Sequence, residues 1–182
     1  QRILKPYPPL GILYISAWLD RNGVDNAVFD TTFSTPDALR AYLLEHRPQV
    51  VAFYVNLMTK LNVLATIRFI REQPALRDTW VVLGGPDVSH NLEGYLSHGA
   101  DVVVVGEGEQ TMLEISQLNA ECGIGGIRNE REVDATQIPH SLIPHSALAQ
   151  VPGVAFLLED GSVFRTQART HLKGLDELPL PN

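Results

Sequence analysis

The chain has 182 residues, 45% hydrophobic and 19% charged, enough apolar content for one packed domain with a short appendage and too much for wholesale disorder. A net charge of −7 without any basic cluster argues against a nucleic-acid partner, and the longest apolar runs are too short for a membrane span. The single cysteine, Cys122, can neither close an internal disulfide nor make a thiolate metal site alone, so a cytoplasmic setting is expected.

Leu10, Leu13, Tyr14 and Ala17 share one face at helical spacing, and Asn22-Gly23 stops that helix. Val24 to Asp30 reads as a short strand. Ser34 or Thr35 can cap a second helix with Pro36 in its first turn and Leu39, Tyr42 and Leu43 inside. After Pro48, Val50 to Val55 is an apolar run of strand length, and a helix over 58–72 buries Val63, Leu64, Ile67 and Ile70. The alternation then repeats. Trp80 to Gly84 is a strand followed by a polar helix through about Leu96, and Asp101 to Val105 is a strand followed by a helix opening near Met112.

Residues 119–150 show no convincing period and carry the tandem Ile138-Pro139-His140-Ser141-Leu142 and Ile143-Pro144-His145-Ser146-Ala147, read as an irregular connection. Gly153 to Leu158 and Val163 to Thr166 flank a Gly-containing turn, which predicts a β-hairpin. A parallel α/β sheet should begin with a strand, and Arg2-Ile3-Leu4 is too short to serve. The first strand is therefore expected wholly or partly upstream of Gln1.

Strands apolar on both faces and alternating with helices predict an α/β fold, a doubly wound parallel sheet with a C-terminal β-hairpin extension. Ligands of such sheets sit at the carboxyl ends of the strands. Here those ends carry Thr31-Thr32-Phe33-Ser34, Asn56-Leu57-Met58-Thr59-Lys60, Gly84-Gly85-Pro86-Asp87 and Gly106-Glu107-Gly108-Glu109. Glycines admit a bulky ligand to the backbone, although either glycine motif can equally serve only as a tight turn. Asn56 or Thr59 can contact a ligand, cap the following helix, or do both, and Glu109 suits a helix start. Lys60 is the one basic residue in these loops, and neither G-x-G-x-x-G nor G-x-x-x-x-G-K-[ST] occurs. Dinucleotides and nucleoside triphosphates fit poorly; a large, nearly neutral, amide-rimmed ligand fits better.

Pro8-Pro9-Leu10-Gly11-Ile12-Leu13-Tyr14-Ile15, Asn22-Gly23, Val28-Phe29-Asp30, Leu83-Gly84-Gly85-Pro86 and Val105-Gly106-Glu107-Gly108-Glu109 follow in order and at spacings that resemble the N-terminal cobalamin (vitamin B12)-binding domain of cobalamin-dependent radical S-adenosylmethionine enzymes. Gly153-Val154-Ala155 and Leu175 to Pro181 resemble that family's bridge to its catalytic domain. The resemblance implies a Rossmann-like, flavodoxin-like domain over residues 1–118, the connection 119–150, and a hairpin and linker over 151–182. It implies cobalamin held by Asn56, Leu57, Met58, Thr59, Gly84, Gly85, Pro86, Gly106, Glu107 and Gly108. The nucleotide tail is expected between the sheet and the helices that follow Asn56 and Gly85.

The implied partner is a downstream radical S-adenosylmethionine domain of the same polypeptide, which would carry the iron–sulfur cluster and S-adenosylmethionine. The expected role is presentation of cobalamin for methyl transfer or a related radical reaction. No catalytic residue and no metal ligand is assigned within this chain. Asp-x-His-x-x-Gly, which supplies a cobalt-ligating histidine elsewhere, is absent, so a displaced dimethylbenzimidazole tail is expected. The alternatives are a flavodoxin-like binding or signalling domain and a scaffold that has lost the cofactor.

Overall fold

A computed structural model describes residues 9–124, 144–170 and 179–180. The expected first strand, most of the five-residue tandem and residues 171–178 lie outside them. Helix α1 spans Leu10–Arg21 and is followed by Gly23 at φ +75, a turn that glycine adopts without Cβ strain. Ala17 and Leu19 are buried and Ile15 packs against the core, while Leu10 is exposed, so of the predicted face Ala17 is buried and Leu10 is not. Helix α2 spans Pro36–His46, with Thr35 Oγ1 accepting from the Ala38 amide and Pro36 in the first turn.

Strand β1 (Val50–Tyr54), helix α3 (Lys60–Glu72), strand β2 (Trp80–Gly84), helix α4 (Leu92–Ser97), strand β3 (Val102–Val104) and helix α5 (Glu109–Ile124) complete the alternation. Helix α6 (His145–Leu148) and strands β4 (Val154–Leu157) and β5 (Val163–Arg165) follow. Of the stretch expected to be irregular, 119–150, residues 119–124 continue α5 and His145–Leu148 form a short helix, while 125–143 lie outside the described residues.

The sheet order is β1-β2-β3-β4-β5. β1–β2 and β2–β3 are parallel; β3–β4 and β4–β5 are antiparallel. The predicted hairpin is therefore not an appendage but the continuation of the sheet. Ala155 is buried in one core cluster and Val154 and Phe156 in the other. Residues 24–30, predicted as a strand, form no ladder among the described residues. Strand pattern alone does not make a strand, because its backbone groups need an adjacent partner.

Strand alternation separates the two cores. Val81, Leu83, Val103 and Ala155 point toward α2, α3 and α4, joined by Val63, Ile67, Ile70 and Tyr95. Trp80, Val82, Val102, Val104, Val154 and Phe156 point the other way, toward Met112 and Ile115 of α5, Leu148 of α6 and Ile15 of α1. Continuous apolar strands are what a sheet covered on both faces demands.

At the amino ends of the strands, Arg71 holds three elements. Its guanidinium donates to the Gly99 carbonyl at 2.7 and 2.9 Å, to the Thr79 carbonyl at 2.9 Å and to Asp101 Oδ2 at 2.6 Å. Asp101 Oδ2 also accepts the Val81 amide at 2.6 Å. The hairpin turn lies at this end too, with Asp160 Oδ1 accepting from the Ser162 amide at 2.9 Å and Gly161 at φ +81.

Candidate functional site at the carboxyl ends of the parallel strands

The loop after β1 is organised by its own side chains. Asn56 Oδ1 accepts the Met58 amide at 2.9 Å and the Thr59 amide at 3.0 Å, and Thr59 Oγ1 accepts the Asn56 amide at 3.0 Å. The two side chains thereby brace the turn that leads into α3, while Thr59, at the N-cap position, makes no side-chain bond to the helix itself. This arrangement turns Leu57 and Met58 outward, 79% and 87% exposed.

The two adjacent glycines after β2 differ in what surrounds them. A Cβ on Gly85 would lie 2.5 Å from the Val55 carbonyl oxygen and 2.9 Å from the Val55 nitrogen, and its φ is +111. Gly85 is thus required by the approach of two loops. That approach is closed by Val55 N–H to the Gly84 carbonyl at 2.7 Å and Asp87 N–H to the Val55 carbonyl at 3.3 Å. A Cβ on Gly84 or on Gly106 would meet nothing within 4 Å. Gly108 is packed instead, its missing Cβ 2.8 Å from Ile15 Cδ1 of α1. Glu109 opens α5 as an acidic residue in the first turn, a favourable place for an anion.

Three side chains lock the loops after β1 and β2 together. The Tyr95 hydroxyl donates to Asp87 Oδ2, Lys60 Nζ lies 3.3 Å from the same oxygen, and the ammonium sits 5.1 Å from the Tyr95 ring centroid. The Tyr95 hydrogen bond, with Lys60 adding to it, holds the Asp87 carboxyl below the usual carboxylate range. Burial, and then the Asp87 carboxylate, push the Tyr95 hydroxyl titration up.

This lock and the core beneath it change where a tail can go. The space between the sheet and the helices after Asn56 and Gly85 is filled by Val55, Val63, Ile67, Leu83, Leu92 and Tyr95, all buried. The expected tail position there is not open in this structure. Among the described residues, the exposed surface at these strands lies on the opposite face, the α1/α5 side. Ala52 and Tyr54 follow the alternation of Val50 onto that face and are exposed, Tyr54 at 47%. Gly84, following Trp80 and Val82 onto it, has no Cβ neighbour. Ala52, Gly84 and Gly106 thus form a diagonal strip of small residues that steps toward the carboxyl ends from β1 to the loop after β3, with Tyr54, Leu57 and Met58 at its β1 side.

Of the residues expected to hold a ligand, Asn56 to Thr59 and Gly84 to Pro86 lie in loops that touch. Gly106 to Gly108 lies one strand further along the same edge. Ala52 and Tyr54 were not anticipated. Their signal was available, since a single small residue interrupts the bulky run Val50 to Val55 at the same parity as Gly84. Asp87 and Tyr95 were missed as partners of Lys60 because their contacts join separate elements.

Among the described residues no group of three or more His, Cys, Asp or Glu side chains is placed to hold a metal ion. His46 Nδ1 is 3.0 Å from the Tyr42 carbonyl in α2, His98 Nδ1 is 2.6 Å from the Gly94 carbonyl, and His145 stacks on Phe156. His90 borders a shallow polar depression with Ser89, Asn91, Glu93 and Arg165. No described helix is long and apolar enough to cross a membrane.

The chain matches the family model of the B12 binding domain over residues 2–116. It belongs to that family. The fold of this B12-binding domain is shared with the cobalamin-dependent S-adenosylmethionine radical enzyme OxsB, solved with aqua-cobalamin and S-adenosylmethionine bound. The TM-score is 0.73 at 18% identity, over 97% of this chain and 22% of OxsB. The radical S-adenosylmethionine methyltransferase TsrM from Kitasatospora setae, solved with cobalamin and a 4Fe-4S cluster, gives a TM-score of 0.62 at 18% identity, over 99% of this chain and 30% of TsrM. This B12-binding domain therefore spans less than a third of either enzyme. No curated protein matches it in sequence.

Proposed function

We propose that this domain binds cobalamin across the Ala52–Gly84–Gly106 strip and presents it to a radical S-adenosylmethionine domain of the same polypeptide. The observation that carries the reading is that strip. Among the described residues, nothing comes within 4 Å of a Cβ at Gly84 or Gly106 and Ala52 is exposed, and the strip lies in a chain of the B12-binding family. A corrin is broad and apolar on its faces and rimmed with carboxamides. The exposed Tyr54, Leu57 and Met58 offer matching apolar area, and bare backbone at glycines offers amide partners at close range.

Cobalamin, when bound, supplies organocobalt group-transfer chemistry. The chain's own residues hold and orient it. Asn56 and Thr59 fix the loop that projects Leu57 and Met58, and the Lys60–Asp87–Tyr95 lock fixes the neighbouring loop beside Gly84. In a multidomain relative such as TsrM or OxsB, a domain of this fold occupies under a third of the chain. A presenting role, with the chemistry completed by groups from another domain, is the division of labour that this supports.

The test is an absorption spectrum after incubation with hydroxocobalamin and desalting, for the wild type and for Gly84→Leu. The wild type should retain cobalamin. Gly84→Leu should lose it by filling the strip, at an unchanged melting temperature because its Cβ enters open space. Full retention by Gly84→Leu would show that the strip is not the site. Failure of the wild type would leave a scaffold that keeps the fold without the cofactor.

A further inference from the structure

Arg169 lies beyond the hairpin, far in sequence from any strand-end loop, yet its guanidinium is largely buried against α5. Its Nε donates to Thr111 Oγ1 at 2.9 Å, and its Nη2 donates to Glu114 Oε2 and, at 3.4 Å, to the Pro152 carbonyl. Thr111 is completely buried, and its hydroxyl proton is directed to the Glu107 carbonyl at 3.2 Å. A hydroxyl that gives its proton to a carbonyl keeps its lone pairs for a cation, and each bond polarises the next. The relay runs from Arg169 through Thr111 to the backbone of Glu107, in the middle of the Gly106–Gly108 loop.

The same C-terminal segment holds the other end of that loop. Val105 N–H donates to the Gly153 carbonyl at 2.8 Å, and Gly153 N–H donates to the Gln167 carbonyl at 2.8 Å. Gly106 sits between these two anchors at φ +100 with open space around it. Such a backbone has little of its own to define its shape, so its conformation is set by what grips it on either side.

We infer that Arg169 is a positioning residue for the cofactor. It holds the Gly106–Gly108 loop, through Thr111 and Glu107, in the shape that completes the cobalamin surface. This rests on the cobalamin reading above. The arginine fork is needed because one planar group must reach a hydroxyl and a carboxylate at once, which a lysine ammonium does not do.

Two measurements on the whole chain decide it, hydroxocobalamin titration followed by absorbance and amide hydrogen exchange without ligand. Arg169→Gln and Thr111→Val should each weaken cobalamin binding roughly tenfold, and the double variant should be no weaker than the worse single one. Glu114→Gln, which keeps the Arg169–Thr111 bond, should have a smaller effect, and Arg169→Lys should not restore affinity. Exchange in Arg169→Gln should accelerate at residues 105–112 more than at β1 and β2.

Additive losses in the double variant, or exchange at 105–112 unchanged beside a general drop in melting temperature, would overturn the inference. If the wild type fails to bind hydroxocobalamin, the cobalamin reading fails. The exchange pattern then still decides whether Arg169 sets the loop.

Discussion

At Gly85, a side chain has to displace the backbone of Val55 and adopt φ +111, so Gly85→Ala should destabilise the fold by roughly 2–4 kcal/mol. Urea denaturation checks this against Gly84→Ala, which should be close to neutral. A bulky residue at Gly85 would disturb the fold along with any ligand surface; Gly84 is the clean probe. Sequence showed two glycines as equivalent candidates, because nothing local distinguishes a glycine facing a neighbouring strand from one facing open space. Asp87 and Tyr95 add a pH signature. The folded-state titration of Asp87 is lowered, so its contribution is present above about pH 4 and lost as pH falls through the folded value. Tyr95 is shifted upward, so its contribution is present below about pH 10 and declines as pH rises further. The stability gap between the wild type and Tyr95→Phe should therefore be widest near neutrality and narrow at both extremes. A gap independent of pH would refute the assigned hydrogen bond.

Among elements, the helices and the three parallel strands were legible because their signals are local. Thr35 with Pro36 capped α2 as expected, and the apolar spacing of α3 placed Val63, Ile67 and Ile70 inside. What was not legible came from partners distant in the chain. Residues 24–30 had strand composition without a ladder, and Arg71 had no visible role until α3 was packed across β2 and β3. Arg71→Met removes four hydrogen bonds at once and leaves Asp101 without this partner. The expected cost is about 2–4 kcal/mol, seen as a lower urea midpoint with unchanged slope. Arg71→Lys should recover little of it. Arg71 lies at the amino ends of the strands, opposite to the proposed site at their carboxyl ends, so cobalamin affinity of the folded protein should stay at the wild-type value.

At the whole-molecule scale, Tyr54, Leu57, Met58 and Leu61 stand exposed at and just beyond the carboxyl end of β1. Large apolar side chains gathered at one end suit a surface that meets another body. If a downstream domain closes over cobalamin there, a polypeptide extended past Asn182 should bind hydroxocobalamin more tightly than this chain, by about tenfold or more. Equal affinity in a parallel titration would show that the downstream segment does not help to hold the cofactor. The candidate strip itself was only half legible. The loops after β1, β2 and β3 could be read as strand ends, but which face of the sheet stays bare depends on which helices cover it, and that is a property of the assembled layers.

The two antiparallel pairings at β3–β4 and β4–β5 have a consequence for how the chain departs. Direction is reversed twice, so β5 rises again beside β4, the Gln167 carbonyl returns to Gly153, and Arg169 arrives next to the Gly106–Gly108 loop. Residues 166–170 thus lie at the rim of the proposed surface, while the hairpin tip is turned to the far end. A domain tethered at that rim would be held at high effective concentration over the bound cofactor, and a short leash would suffice where an exit from the far end would need one spanning the length of the strands.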